Sequence, residues 1–158
     1  MRQWVGPVAA GVAFALAGAA SGSVHAAPAC APAGSDRAVE AAVRSWFDAG
    51  RRDDLAAEAA IQAPGFYAYD GGKKYQGVAL GELLKTLHAS GVTIEWNLHD
   101  FDVHVACDQA WIAWVNTGAA GKAGAMQPVT WLESAVFGWQ GGAWRMEFLH
   151  SARVPPPT

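Results

Sequence analysis

Four side chains stand where this sequence could do proton chemistry: Asp70, Glu133, Glu147 and His150. Asp70 closes the alternating run Phe66-Tyr67-Ala68-Tyr69 and opens Asp-Gly-Gly. A carboxylate partly desolvated by those aromatics could serve as a general acid or base. The same tripeptide is also a turn sequence, in which Asp caps the turn with its own side chain. Glu133 and Glu147 lie within otherwise apolar runs, where an unpaired carboxylate is costly to bury. If Gly141-Gly142 forms a two-residue turn, Glu133 faces His150 across the hairpin. Such a pair is either structural or a proton-transfer dyad.

Other chemistries find less support. His99, Asp100, Asp102 and His104 cluster in sequence, but alternation puts His99 on the face opposite Asp100 and Asp102, and no third ligand follows at a metal-site spacing. They read as solvated strand residues; no metal and no cofactor is expected. The chain has no G-x-S-x-G, phosphate loop or Cys/His nucleophile pair. With a net charge of -3 and no basic run beyond Arg51-Arg52 and Lys73-Lys74, nucleic acid is not an expected partner.

The elements that must position these residues end in a long hairpin, Pro128 to Arg153. With the turn at Gly141-Gly142, Trp139 pairs with Trp144, Phe137 with Met146, Ala135 with Phe148 and Glu133 with His150. The other face carries Leu132, Ser134 and Val136 opposite Ser151, Leu149 and Glu147. Both faces are substantially apolar, so each must be covered. Upstream, Ser35 caps a helix with Val39, Val43, Trp46 and Phe47 on one side, ended by Gly50. Asp53 or Asp54 caps a second helix that stops at Pro64. Phe66 to Tyr69 and Lys73 to Gly77 form a short hairpin, and Val78 to Ser90 is a helix with Leu80, Leu83, Leu84 and Leu87 on one face. Val92 to Ala106 is a long strand, bent near Asn97 to Asp100. Cys107-Asp108 turns, Gln109 to Thr117 returns, and a Gly/Ala loop (Gly118 to Ala125) leads into the hairpin. Helices followed by long antiparallel strands make an α+β domain, with helices on one face of a curved sheet.

Residues 1–26 read as a signal peptide: Arg2, an apolar Gly/Ala-rich stretch from Val5 to Ala20, and Val24-His25-Ala26 before the cleavage point. The mature chain would have 158 − 26 = 132 residues, enough for one domain. It would be exported to the periplasm or secreted, with no membrane contact after cleavage. Residues 27–34 form an Ala/Pro-rich flexible leader, 35–153 the domain and 154–158 a tail. In an oxidising compartment Cys30 and Cys107 invite a disulfide closing 107 − 30 = 77 residues; the alternative is two unrelated thiols.

The succession helix, helix, FYAYDGGKKYQG, Leu-rich helix, VHVACDQAWIAWV and VFGWQGGAWRMEFLHSARV resembles the nuclear transport factor 2-like superfamily, in particular its SnoaL-like and ketosteroid-isomerase-like members. The ending W-x-x-x-F-L-H-S is similar to the closing strand of the calcium/calmodulin kinase association domain. The resemblance implies a cone whose curved sheet wraps the helices and leaves a pocket open at one end. It puts Asp70 at the position of the isomerases' general base and turns the Glu147 face inward. The implied ligand contacts are Trp46, Tyr69, Asp70, Trp111, Ser134, Glu147 and Ser151. The isomerases' oxyanion hole has no visible counterpart, because the first helix offers Trp46 or Phe47 and the penultimate strand Ser134 or Val136. The expected function is therefore binding, with or without acid/base transformation, of a small apolar or amphipathic molecule. The alternative is a non-catalytic homodimerising module, joined through an outer sheet face bearing Trp131, Phe137, Trp139, Trp144, Met146 and Phe148. If that face is the inner one, Leu132, Val136 and Leu149 remain as a weaker outer strip.

Overall fold

The computed structural model describes residues 30–155, so the expected signal peptide and the start of the leader lie outside the described residues. Helix α1 (Asp36–Arg51) begins where the Ser35 hydroxyl accepts the Ala38 N–H, and it buries Val39, Val43, Trp46 and Phe47 on one side. Helix α2 (Leu55–Ile61) is capped by Asp54, whose carboxylate accepts the Ala57 N–H at 3.0 Å. It ends earlier than Pro64 suggests, and Pro64 lies within strand β1 (Gln62–Asp70). Strand β2 (Lys73–Gln76) and helix α3 (Ala79–Ala89) follow. The long strands are β3 (Val92–Ala106), β4 (Gln109–Lys122), β5 (Gln127–Gln140) and β6 (Ala143–Arg153). β4 thus runs through most of the expected Gly/Ala loop. No helix among the described residues is long and apolar enough to cross a membrane.

The six strands form one sheet in the order β2-β1-β6-β5-β4-β3, with the three helices against one face. The α+β expectation holds, but the sheet is mixed rather than antiparallel, because β1 runs parallel to β6. Alternation tells which side chains share a face; it says nothing about which strand will be the neighbour or in which direction.

Two bulges set the registers. In β3 the pairing slips between His99 and Asp102, with Asp100 at φ 54°, at the bend expected from the sequence. In β6 the slip falls at Glu147: Phe137 pairs with Met146, yet Val136 pairs with Phe148. Beyond it Ser134 faces His150 and Glu133 faces Ser151, so the expected Glu133–His150 pair does not form. A one-residue insertion exchanges the faces of everything past it.

The expected faces are also reversed. Phe137, Met146, Trp131 and Trp144 are buried, and Trp139 is packed against the core beneath the helices, not on the outer surface. Phe148, beyond the bulge, does point outward, whereas Leu149 and Ser151 point in. The hairpin is apolar on both sides, so its sequence does not say which side the helices take.

Cys30 and Cys107 are joined, with Cα atoms 5.3 Å apart. The Ala33 N–H donates to the Cys107 carbonyl at 2.7 Å, and Gly34 lies so close to the Trp139 and Trp144 rings that a Cβ there would overlap them. The described part of the leader is thus strapped over the β3–β4 turn. Cys107→Ser should lower unfolding free energy by ~2–4 kcal/mol in chemical denaturation. Wild-type protein treated with reductant should lose a similar amount, and unchanged midpoints in both would show the strap to be idle.

Candidate functional site

A cavity of about 310 Å³ lies between the helices and the inner face of the sheet. One wall is the leucine face of α3 (Leu80, Leu83, Leu84, Leu87); the others are aromatic, with Trp46 and Phe47 from α1, Trp96 from β3 and Trp131 from β5. The size suits a small organic guest. Polar groups gather at one end: Asp70, Glu133, Ser151 and Arg153.

Three of these four belong to a single row across the sheet. Asp70 on β1 pairs with Ser151 on β6, Ser151 with Glu133 on β5, and Glu133 with Trp114 on β4. All four side chains are on the inner face. Asp70 and Glu133 are two strands apart, about 10 Å between backbones, so a guest molecule can reach both.

Glu133 is only 7% exposed. Its Oε2 accepts the Trp114 indole N–H at 2.7 Å and the Asn116 side-chain N–H at 3.0 Å. Loss of hydration pushes its pKa up to about 7; hydrogen bonds from Asn116, Ser151 and Trp114 oppose that shift, and the Asp70 charge adds to it. A carboxyl group that exchanges its proton near neutrality beside a second carboxylate is an arrangement suited to acid/base work.

Of the residues expected from the sequence, the cavity gathers Asp70, Glu133, Ser151 and Trp46. Tyr69, His150 and Ser134 instead share an outer-face row, Tyr69 paired with His150 and His150 with Ser134. Trp111 is also outside, 48% exposed and stacked on His104 at 3.8 Å between ring centres. Glu147, expected to point inward, lies as the bulged residue over Gly138 on the outer face and accepts the Gln140 side-chain N–H at 3.2 Å. The penultimate strand was expected to offer only Ser134 or Val136 to an oxyanion hole. It offers Glu133, because Ser134 and Val136 face out. Asn116 was not foreseen. Its signal is a lone polar residue in the inward phase Ala110, Ile112, Trp114, Asn116. His99 contacts Asp100 and His104 contacts Asp102 as separate pairs; among the described residues no three His, Cys, Asp or Glu side chains converge.

Behind the leucine wall lies a second buried carboxyl. Glu58 on α2 is fully enclosed, and neither of its oxygens has a hydrogen-bond partner. It presses against Gly50 of α1 and Gly81 of α3, where a methyl group on Gly81 would overlap it. Burial, then the charges of Asp53 and Asp54, push its pKa up to about 7.

No family model and no curated protein sequence matches this chain. Solved structures do. A ketosteroid isomerase-like protein from Erwinia carotovora atroseptica superposes with a TM-score of 0.62 at 18% identity, over 77% of this chain and 97% of that one. An NTF2-like protein of unknown function from Pseudomonas putida gives 0.61 at 21%, over 74% and 84%. The S. rosetta CaMKII hub gives 0.65 at 17%, over 78% and 100%. The fold is NTF2-like. At these identities the likeness extends to the architecture alone, and the NTF2-like frame serves proteins with different roles.

Both buried glutamates hold a proton more tightly when folded (about 7) than an exposed carboxyl does, at 4.5. Their neutral forms are therefore compatible with the fold below about pH 4.5, and stability drains away as pH rises to about 7. Calorimetry should show the melting temperature falling between about pH 5 and about pH 8. Glu58→Gln should flatten part of that fall, and an unchanged slope would remove Glu58 from the account.

Proposed function

We propose that this chain is an exported small-molecule protein that holds an apolar, oxygen-bearing guest in the cavity and moves a proton on it. Asp70 acts as the base and Glu133 as the acid. The observation that carries this reading is the inner-face row Asp70–Ser151–Glu133 at the polar end of an otherwise apolar cavity. An acid and a base on either side of a guest can remove a proton from one atom and return it to another. The Leu and Trp walls exclude water, which strengthens each electrostatic contact inside. The likeness to a ketosteroid isomerase-like protein supports the direction of the reading. The Cys30–Cys107 bridge supports export to an oxidising compartment, periplasmic or extracellular. A thermal-shift screen of neutral apolar ketones and alcohols should return stabilising compounds. Their effect should weaken in Glu133→Leu, and α-proton exchange of a bound ketone should be lost in Asp70→Asn. A screen with no hits would sink the reading.

A second reading, self-association through the outer face, is favoured by a different observation. Leu132, Trp111 and Tyr69 are 54%, 48% and 44% exposed, and Tyr69 clusters with Tyr67 and Phe148. That patch, rather than the inward Phe137 and Trp131 face, is what a second copy would cover. The S. rosetta neighbour is by name a hub, which is in keeping with such pairing. Burial at ~25 cal/mol per Å² would favour the pair before association costs are counted. Sedimentation should give a dimer at micromolar concentration that Leu132→Asp converts to folded monomer; a monomeric wild type would rule it out.

A further inference from the structure

We propose that Trp114 and Asn116 are positioning residues that fix the polarity of Glu133, so that its other oxygen, Oε1, offers a proton to the cavity and the pocket selects guests with an acceptor oxygen. The proposal rests on the pocket reading above and adds the direction of its central hydrogen bond.

The direction follows from donors that cannot reverse. The Asn97 main-chain N–H donates to Asn116 Oδ1 at 3.2 Å, and a main-chain N–H has no acceptor role. That contact orients the amide of Asn116, itself wholly buried, and turns its NH₂ group onto Glu133 Oε2 at 3.0 Å. The Trp114 indole is also a donor only, and it meets the same oxygen at 2.7 Å. Two N–H groups on Oε2 occupy both of its in-plane lone pairs. When Glu133 is neutral its proton therefore resides on Oε1. Ser151 is the cross-strand neighbour of Glu133, but a rotating O–H can donate or accept and sets no direction. Asp70, next along the row, favours the neutral acid by its charge. A carbonyl or ether oxygen entering the polar end would thus meet a donor, and a pure hydrocarbon would leave that donor unpaired.

Two measurements on the full-length chain test this. The first is a ¹³C NMR titration of the Glu133 carboxyl, assigned with Glu133→Gln. Trp114→Phe keeps an aromatic ring and removes one N–H that favours the ionised form, so the midpoint should rise above the wild-type value. Asn116→Leu should act the same way, and Trp114→Phe decides alone if Asn116→Leu does not fold. An unchanged or lowered midpoint in folded Trp114→Phe overturns the proposal. The second compares 1-indanone with indane, molecules of similar shape with and without a carbonyl. The wild type should prefer indanone by roughly threefold to tenfold. Glu133→Gln should keep that preference, since its carbonyl must receive the two N–H donors and its NH₂ then faces the cavity. Glu133→Met should lose it. Equal affinities in the wild type overturn the proposal and leave the pocket reading intact. Binding of neither at millimolar concentration sinks the pocket reading, and the titration still decides how Glu133 is held.

Discussion

The extra residue that Glu147 inserts into β6 decides which side chains meet inside this protein. Without it, a hairpin turning at Gly141-Gly142 would set Phe148 and His150 on the helix side and send Leu149 and Ser151 outward. With it, Ser151 comes to lie between Asp70 and Glu133, and Leu149 closes the apolar wall. The bulge has its own accommodation. Gly138 opposite has no side chain, and the Glu147 carboxylate occupies that space. The polar row, the apolar cavity and the exposed aromatic patch on the other face thus depend on one local departure from two-residue periodicity.

Enclosure then sorts two chemically identical groups into different roles. Glu58 and Glu133 are both pushed to about 7, chiefly by loss of hydration. Glu58 has no hydrogen-bond donor and sits among glycine and leucine, so its neutral form is part of the packing between the three helices. Glu133 is held by donors from β4 that favour its charged form, and it opens onto a cavity. Both groups therefore change protonation state near neutrality, but only Glu133 lines a cavity in which it can exchange its proton with a guest. A general acid requires that; a packing group does not.

The element order, the α+β class, the disulfide and the bend in β3 were all legible in the sequence, because each rests on a local signal: helical spacing, a cap, a pair of cysteines, an interrupted alternation. Asp70, Glu133, Ser151 and Trp46 were legible as candidates because polar residues in apolar runs and aromatics on a helix face stand out. Their assembly was not. It depends on the bulge at Glu147, which no residue type announces, and on the parallel seam between β1 and β6, which joins segments far apart in the chain. The bulge sends His150 to the outer face, whereas Ser134 and Glu147 lie there because the helices cover the Phe137 side of a hairpin that is apolar on both sides, and Tyr69 because it alternates with Asp70. Asn116 was visible in principle, but a single Asn in a strand has meaning only once its neighbour across β5 is known to be Glu133's strand-mate Trp131.

The cavity stays open for a reason that also lies in residue type. Phe47 meets Trp46, Trp96 and Trp114 edge to face, with ring centres 5.2, 5.4 and 6.1 Å apart. Rings in such contacts have only two side-chain torsions, and each is locked by its neighbours. Methionine in those positions could bend into the gap, as its flexible side chain does in irregular cores. The cavity is the space between these rings and the α3 leucines. The polar row lies at the end of that space. A pocket formed before any guest arrives loses little ordering entropy on binding, and the two-strand spacing of the sheet holds Glu133 and Asp70 at a separation a small molecule can bridge.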